Sequence, residues 1–262
     1  MPRAARLDDS LPSVGNLDKA GMKKFLFIIL VFLATGCSAQ GKLYWRAKDF
    51  VLDRSPTVRL RGSNEQIVLT ITTRTMQEMT LAHLRINRAA NIQSDLYIVE
   101  GDEPNAFAAF VNGQRVIGLN LGMVKLIGDE VNEYAALIGH EAAHWAKGHV
   151  DFGQTRTNTI NALGTLVGVG LSAAGVPAAG LITGLGVDLI ESSYSRDQER
   201  EADAQSIDYL LVNNYDSWGA VTLHEKFLKK DRGLRLPFLS SHPSSEERIE
   251  NLKSLIETKK SQ

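Results

Sequence analysis

Residues 135–145 read Ala-Ala-Leu-Ile-Gly-His-Glu-Ala-Ala-His-Trp, and the middle of this segment, from His140 to His144, has the pattern HExxH. In an α-helix each residue turns about 100°, so histidines four positions apart lie one turn apart on the same face. This spacing lets two imidazoles bind one metal ion, and it places Glu141 beside them, where its carboxylate can act as a general base on a bound water. The segment therefore predicts a metal-binding catalytic helix.

The residues around the motif support a helix. Apolar side chains recur every three or four positions, which is the helical period: Val131, Ala135, Ile138, Ala142 and Trp145. This stripe lies roughly opposite His140, so the packing face and the metal face are separate. Between Glu133 and Lys147 the one charged residue is Glu141, and burying it would be costly unless a metal site compensates. A chance match to so short a motif is the alternative.

The composition of the whole chain narrows the classes of function. Its 262 residues are enough for one sizeable domain, or a domain with tails. The net charge of −1, from 29 basic and 30 acidic residues, gives no electrostatic basis for binding nucleic acid. Cys37 is the single cysteine, which excludes an intrachain disulfide framework and a cysteine-rich zinc site.

The N-terminal region is typical of a secretory signal. Met-Lys-Lys at 22–24 is a basic start, and 25–33 is an apolar run too short to cross a membrane as a helix. The Ala-Thr-Gly that precedes Cys37 resembles a bacterial lipobox, in which the cysteine is lipidated and becomes the mature N-terminus. An incidental thiol at an ordinary cleavage site is the alternative. Because Ser38 rather than Asp follows the cysteine, we expect an outer-membrane lipoprotein.

The chain is accordingly predicted to have four parts. They are an upstream extension that is not native to the protein (1–21), a lipoprotein signal peptide (22–36), a polar, lipid-anchored tether (37–64) and one catalytic domain (65–260). Within this domain the composition predicts a helix from Gln66 to about Ala90, followed by a short strand at 95–100. The apolar run 105–111, Asn-Gly and the strand 115–119 predict a hairpin. A small antiparallel sheet should therefore precede the HExxH helix.

The segment 157–187 has no charged residue, and it contains seven glycines and Pro177. It could form a hairpin in a membrane, or two close-packed helices that cover the catalytic cleft. Each half has only about 15 residues, fewer than the roughly 20 that a spanning helix requires. The packed-helix interpretation is therefore favoured, and contact with a membrane surface stays open.

A third metal ligand is expected in the helix that begins with Ser-Arg-Asp-Gln-Glu-Arg-Glu-Ala-Asp at 195–203. The face of this helix that should point into the protein core contains Glu199, Asp203, Ile207 and Leu210. Glu201 lies about 200° from Glu199 and faces outward. This selects Glu199 as the ligand, and places Asp203 one turn on, where it can orient a ligand histidine by a hydrogen bond. A solvated acidic turn at a helix N-terminus is the alternative.

His149 is a further histidine close to the motif. Nine residues after His140, it should point about 180° away for as long as the helix continues. The longer metzincin motif would need Gly and His where Lys147 and Val150 stand. We therefore interpret His149 as a helix-end residue and not as a ligand.

Taken together, these segments resemble a known family. HEAAHWAKGH at 140–149 followed by SRDQEREAD at 195–203 looks like the zinc endopeptidases of the HtpX, Oma and CAAX-prenyl-protease class. Asn105–Ala108, the hairpin and His242-Pro243 are also similar, and the likeness covers roughly residues 65–255. Within this class the small bacterial outer-membrane lipoproteins are the most similar members.

The resemblance implies an α+β, mainly α-helical fold, a gluzincin-like metalloprotease domain with a small antiparallel β-sheet and an HExxH active-site helix. It implies one Zn²⁺ per subunit, bound by His140, His144 and Glu199, with Glu141 as general base. The expected function is endopeptidase hydrolysis of unfolded or misassembled envelope proteins, by an enzyme held at the outer membrane and facing the periplasm. The alternatives are a periplasmic chaperone or assembly factor with minor proteolysis, and an integral-membrane metalloprotease. No oligomeric state is favoured.

The resemblance also brings the loop at His242 near the metal. Three roles are open for this residue: packing beside a helix cap, donating to the oxyanion of the tetrahedral intermediate, or acting as a movable fourth ligand that silences the enzyme. We favour the last role, which we term the latch. Arg248 should either orient substrate or anchor its helix against a carboxylate. Strand 115–119 is the expected edge for an extended peptide.

Overall fold

The structure is a computed structural model, and it describes residues 44–62, 64–111, 114–150, 187–189, 194–231, 236–243 and 246–261. The predicted upstream extension, the signal peptide and Cys37 lie outside these ranges. The uncharged segment 157–187 lies outside them as well, except for its last residue. No helix in the described ranges is both long and apolar enough to cross a membrane.

The described residues form strands and helices that alternate in the first half of the chain and are mostly helical afterwards. The strands are β1 (Tyr44–Arg46), β2 (Thr57–Arg61), β3 (Ile67–Thr72), β4 (Asp95–Val99), β5 (Ala106–Val111), β6 (Gln114–Asn120) and β7 (Val187–Leu189). The α-helices are α1 (Thr73–Ala90), α2 (Leu121–Ile127), α3 (Val131–Ala146), α4 (Arg196–Val212), α5 (Trp218–Lys230), α6 (Pro237–Ser241) and α7 (Glu246–Lys260). The predicted α+β, mainly helical fold is confirmed.

The first strands correct the predicted tether, which was expected to reach residue 64. Strands β1 and β2 lie within 44–61, and their side chains Trp45, Val58 and Leu60 are buried in the core. In β2 the apolar residues alternate with Thr57, Arg59 and Arg61, which is the period of a strand with one face buried. The folded domain therefore begins by residue 44, and not at residue 65.

The predicted helix that begins at Gln66 is wrong over its first turns. Residues Ile67–Thr72 form β3, which pairs with β2 in a two-stranded antiparallel sheet. The sequence Ile-Val-Leu-Thr-Ile-Thr is rich in β-branched residues, which favour extended backbone. The helix begins only after Thr72, whose side chain accepts a hydrogen bond from the backbone N–H of Thr75 at 3.0 Å.

The larger sheet has the strand order β1-β4-β6-β5-β7. It is mixed and not purely antiparallel, because β4 and β6 are parallel, whereas the other neighbours are antiparallel. The hairpin prediction is confirmed, since β5 and β6 are antiparallel and Val111 is in register with Gln114. The predicted docking edge is wrong. Strand β6 lies between β4 and β5, so both of its backbone edges are already hydrogen-bonded.

Helix α3, which contains the HExxH motif, is the centre of the helical layer and packs against α1, α4 and α5. Its residues from Glu133 to Trp145 are all buried. Gly139 allows the close approach of α4: a Cβ at this position would lie 2.7 Å from the Ser206 hydroxyl oxygen. Ser206 itself donates to the Ala136 carbonyl at 3.1 Å, so the two helices are joined directly behind the motif.

Candidate metal centre

Four buried side chains converge between α3, α4 and the end of α6. They are His140, His144, Glu199 and His242, and one ligand-type atom from each lies within 4.8 Å of the others. His140 and His144 come from adjacent turns of α3, as their spacing predicts. Glu199 comes from the first turn of α4. Among the described residues, His149 is not a member of this group.

The separations between these atoms are close to those of a tetrahedral zinc site. The Nε2 atoms of His140 and His144 are 3.0 Å apart. The Glu199 carboxylate oxygens lie 3.3 Å from the Nε2 of His144 and 3.5 Å from the Nε2 of His140. Bond lengths of about 2.0–2.2 Å in a tetrahedral site give separations between ligand atoms of about 3.3–3.6 Å. The His₂Glu set is therefore close to the arrangement that zinc requires.

The start of α4 fixes the position of Glu199. The Ser195 hydroxyl accepts a hydrogen bond from the Gln198 N–H at 3.2 Å, and the Gln198 side-chain oxygen accepts from the Ser195 N–H at 3.0 Å. This reciprocal capping box satisfies two donors that the first turn would otherwise leave unpaired. Because the helix begins sharply at this point, Glu199 faces α3 and is 4% exposed, whereas Glu201 faces outward.

Glu141 lies next to the cluster and is completely buried. Neither of its carboxylate oxygens has a hydrogen-bond partner among the described residues. The Nε2 of His242 lies 3.5 Å from the Glu141 Oε1. Burial raises the pKa of the Glu141 carboxyl group, because the charged form loses its hydration. An unpaired buried carboxylate is costly for stability, so this residue has the environment of a proton acceptor.

Asp203 holds the second ring nitrogen of His140. Its Oδ1 lies 3.0 Å from the His140 Nδ1, and Arg248 donates to both of its oxygens, each at 2.7 Å. Burial alone would raise the pKa of Asp203, but the charge of Arg248 and the hydrogen bonds from His140 and Arg248 lower it well below its usual value. Asp203 therefore has the contact predicted for an orienting residue.

The side chain of Arg248 extends from α7 towards these carboxylates, and the residue is 7% exposed. Its guanidinium also donates to Glu199, and to the Pro243 carbonyl at 3.0 Å. Of the two predicted roles, these contacts match the anchoring of a helix against carboxylates.

The charges around the two histidines favour a bound cation. Burial lowers the pKa of His140, but the charge of Glu199 and the hydrogen bond to Asp203 outweigh burial and raise that pKa to about 9. Burial holds the pKa of His144 well below its ordinary value, which keeps its imidazole neutral. Neutral imidazole is the form that binds a metal, and the carboxylates beside it stabilise positive charge.

His242 lies at the end of α6 and is 2% exposed. Its backbone N–H donates to the Phe238 carbonyl at 2.9 Å, and the two rings stack with centroids 4.6 Å apart. The ring also points into the site, where its Nδ1 lies 3.0 Å from the Glu199 Oε1. The residue therefore both packs at a helix end and reaches the cluster.

Two contacts of His144 were not predicted from the sequence. The ring of Tyr194 stacks on His144 with centroids 3.6 Å apart, and its backbone N–H donates to the Ser241 carbonyl at 3.2 Å, beside His242. The second contact is His149, which was predicted to point away. Helix α3 ends at Ala146, and Gly148 has φ +70°, so the chain turns back and the His149 ring reaches the His144 ring.

Comparisons with known proteins agree with this site. The model of Peptidase family M48 matches residues 72–256. The chain is 33% identical over 149 residues to Metalloprotease LoiP of Escherichia coli (strain K12), a match that covers 57% of each protein. It is 28% identical over 135 residues to Metalloprotease YcaL of the same organism, with 52% of each protein covered. The chain thus spans about half the length of the curated relatives that it matches.

Proposed function

Since the chain belongs to peptidase family M48, we propose that it is a zinc-dependent endopeptidase that hydrolyses unfolded or misassembled proteins of the bacterial envelope. The observation that carries the proposal is Glu141. A binding module or chaperone with a structural metal gains nothing from a buried carboxylate that has no hydrogen-bond partner among the described residues. A hydrolase needs such a group within reach of the attacking water.

In the proposed reaction His140, His144 and Glu199 hold the zinc ion, and Asp203 and Arg248, through their hydrogen bonds, keep His140 and Glu199 in place. Zinc, when bound, acts as a Lewis acid that polarises a carbonyl group and makes water nucleophilic near neutral pH. Glu141 accepts the proton of the attacking water and delivers it to the leaving amine. The raised pKa of Glu141 suits both steps, because a carboxylate with a higher pKa accepts a proton more readily near neutral pH and can then pass it on.

The choice of substrate class rests on the resemblance and on the predicted lipoprotein signal, and its test is made in cells. A strain whose chain carries Glu141→Gln should accumulate envelope proteins that the unmodified strain removes, and quantitative proteomics of the envelope would measure them. An unchanged envelope proteome under folding stress would contradict the proposed substrates. Complementation by the inactive variant would favour the chaperone alternative.

The location at the outer membrane is proposed from Cys37 and its flanking sequence. Cys37→Ser should abolish attachment of a lipid and leave an uncleaved or soluble periplasmic form. Membrane fractionation and the mass of the N-terminal peptide would detect this. A mass and a membrane fraction that the substitution does not change would reject the anchor.

His242 is proposed as the latch. Its ring nitrogen lies 3.2 Å from the Nε2 of His140 and 3.0 Å from the Glu199 Oε1, so His242 occupies the side of the cluster that a fourth ligand would take. A four-ligand zinc site leaves no position for water or substrate and is inactive. His242→Ala should therefore raise the turnover of casein. A fall of about 10²–10³-fold would instead assign His242 as the oxyanion donor, and an unchanged rate would leave it a packing role.

A further inference from the structure

A chain of side-chain contacts runs from His144 to the protein surface. The Nδ1 atoms of His144 and His149 are 3.0 Å apart, and the Nε2 of His149 lies 3.1 Å from the Glu201 Oε2. The other Glu201 oxygen is 3.2 Å from the Lys147 ammonium nitrogen. The side chain of His149 is only 6% exposed, whereas that of Glu201 is 52% exposed. His149 thus lies between a buried histidine and a carboxylate in solvent.

The chemistry of imidazole determines which atom donates and which accepts in each of these side-chain contacts. The Nε2 of His144 faces His140 and Glu199, so it is the nitrogen available to a metal, and the proton of the neutral ring must then be on Nδ1. The Nδ1–H of His144 can only donate, so the Nδ1 of His149 must accept. The proton of His149 then lies on its Nε2, where it is donated to the Glu201 carboxylate. Each of the two contacts therefore has one donor and one acceptor.

The two histidines of the motif are therefore held in different ways. The Nδ1 of His140 contacts the carboxylate of Asp203 directly. His144 has no such contact with Glu201, which is on the outward face of α4, and His149 bridges the gap. The backbone supports this position, because the His149 N–H donates to the His144 carbonyl at 3.0 Å after the turn at Gly148.

We propose that His149 is a positioning residue for the zinc ligand His144, and that Glu201 fixes the tautomer of His149 that can accept from this ligand. The inference rests on the proposed zinc site. Its consequence is that zinc affinity depends on a residue that is not a ligand. The loss of such an outer hydrogen bond typically weakens metal binding about 10–100-fold.

Competition with a chromogenic chelator measures zinc affinity directly and does not depend on peptidase activity. His149→Ala should weaken zinc binding about 10–100-fold. His149→Leu keeps an apolar side chain of similar bulk but offers no acceptor, so it should lose as much affinity as His149→Ala. In His149→Asn the amide oxygen stands about where the ring Nδ1 was, so this variant should recover most of the affinity. If Leu restores zinc binding and Asn does not, His149 only fills space.

The part of Glu201 is tested by a double-mutant cycle. Glu201→Ala should weaken zinc binding in the otherwise unchanged chain but have little further effect when His149 is already alanine, because both substitutions act through the same contact. Lys147→Ala, which removes only the outer ion pair of Glu201, is the matched control and should change affinity little. Additive losses from His149→Ala and Glu201→Ala would overturn the proposed chain.

The same measurements separate this inference from the proposed function. If the unmodified chain binds no zinc, the proposed zinc site is wrong. If it binds zinc and His149→Ala binds it equally well, only the role of His149 is wrong. The absorption spectrum of the Co²⁺-substituted protein adds an independent readout. His149→Ala should alter its visible bands, which report ligand geometry, and His149→Asn should restore them; bands that His149→Ala leaves unchanged would contradict the positioning role.

Discussion

Glu141→Gln should bind zinc as tightly as the unmodified chain and hydrolyse casein several orders of magnitude more slowly. Glutamine has nearly the same shape as glutamate, so the packing of α3 is kept, but an amide cannot accept a proton at neutral pH. Because neither carboxylate oxygen of Glu141 has a hydrogen-bond partner among the described residues, the substitution breaks no hydrogen bond there. Zinc content by elemental analysis and the initial rate of casein cleavage measure the two properties.

The same helix offers a matched control. Glu133 is also buried on α3, at 4% exposed, but it is paired with Lys226 at 2.8 Å and lies outside the cluster. Glu133→Gln should therefore leave casein hydrolysis unchanged and lower thermal stability, because the Lys226 ammonium loses a charged partner. Full activity in Glu141→Gln would contradict the assignment of the base. A loss of zinc in that variant would mean that Glu141 contributes to metal binding.

Glu199→Ala should remove zinc from the purified protein, and with it the activity. Among the described residues, Glu199 is the one carboxylate with oxygens beside the Nε2 atoms of both motif histidines. Asp203→Ala should keep the fold and weaken zinc affinity by about 10–100-fold, as expected for a residue that contacts a ligand only at the nitrogen facing away from the metal, the Nδ1 of His140. The order of the losses in a chelator competition therefore distinguishes a ligand from a residue that supports a ligand.

Glu201→Ala is the control for the choice between the two glutamates of α4. It removes the same type of side chain two residues away, on the exposed face of the helix, and its loss of affinity should be far smaller than that of Glu199→Ala. If Glu201→Ala is the variant that empties the site, the assignment of the helix faces is wrong. Glu199→Gln adds a second control, because it keeps an acceptor for Arg248 while it removes the charge.

The parts of the site that depend on helical period could be predicted from the sequence. The turn of α3 places His140 and His144 together, and the turn of α4 separates Glu199 from Glu201, because both effects act within a few residues. Contacts between segments that are distant in the sequence were harder to predict. The stacking of Tyr194 on His144 joins segments 50 positions apart in the sequence, and nothing in the local pattern around Tyr194 indicates it.

The errors have the same origin. The orientation of His149 was predicted on the assumption that α3 continues, and Gly148 ends that continuation by taking a positive φ. Strand β6 was predicted as an edge because only its hairpin partner, β5, can be identified from the local sequence. Its other neighbour, β4, pairs with it in parallel, and no local turn in the sequence indicates that pairing. The strands β2 and β3 were missed because each has only five or six residues, and a helix and a strand are hard to distinguish over so short a segment.

Arg248 has a consequence for the order in which the protein becomes active. Asp203 and Glu199, which lie beside the HExxH helix, are paired with the guanidinium of Arg248, and this residue follows His140 by 108 residues along the chain. During synthesis the motif therefore emerges long before the arginine does. Until α7 has been synthesised and has packed against α4, Asp203 and Glu199 lack the cation that holds them. The metal ligands are then not yet fixed in their positions. A chain that is still being synthesised should thus carry the HExxH motif without its hydrolytic power.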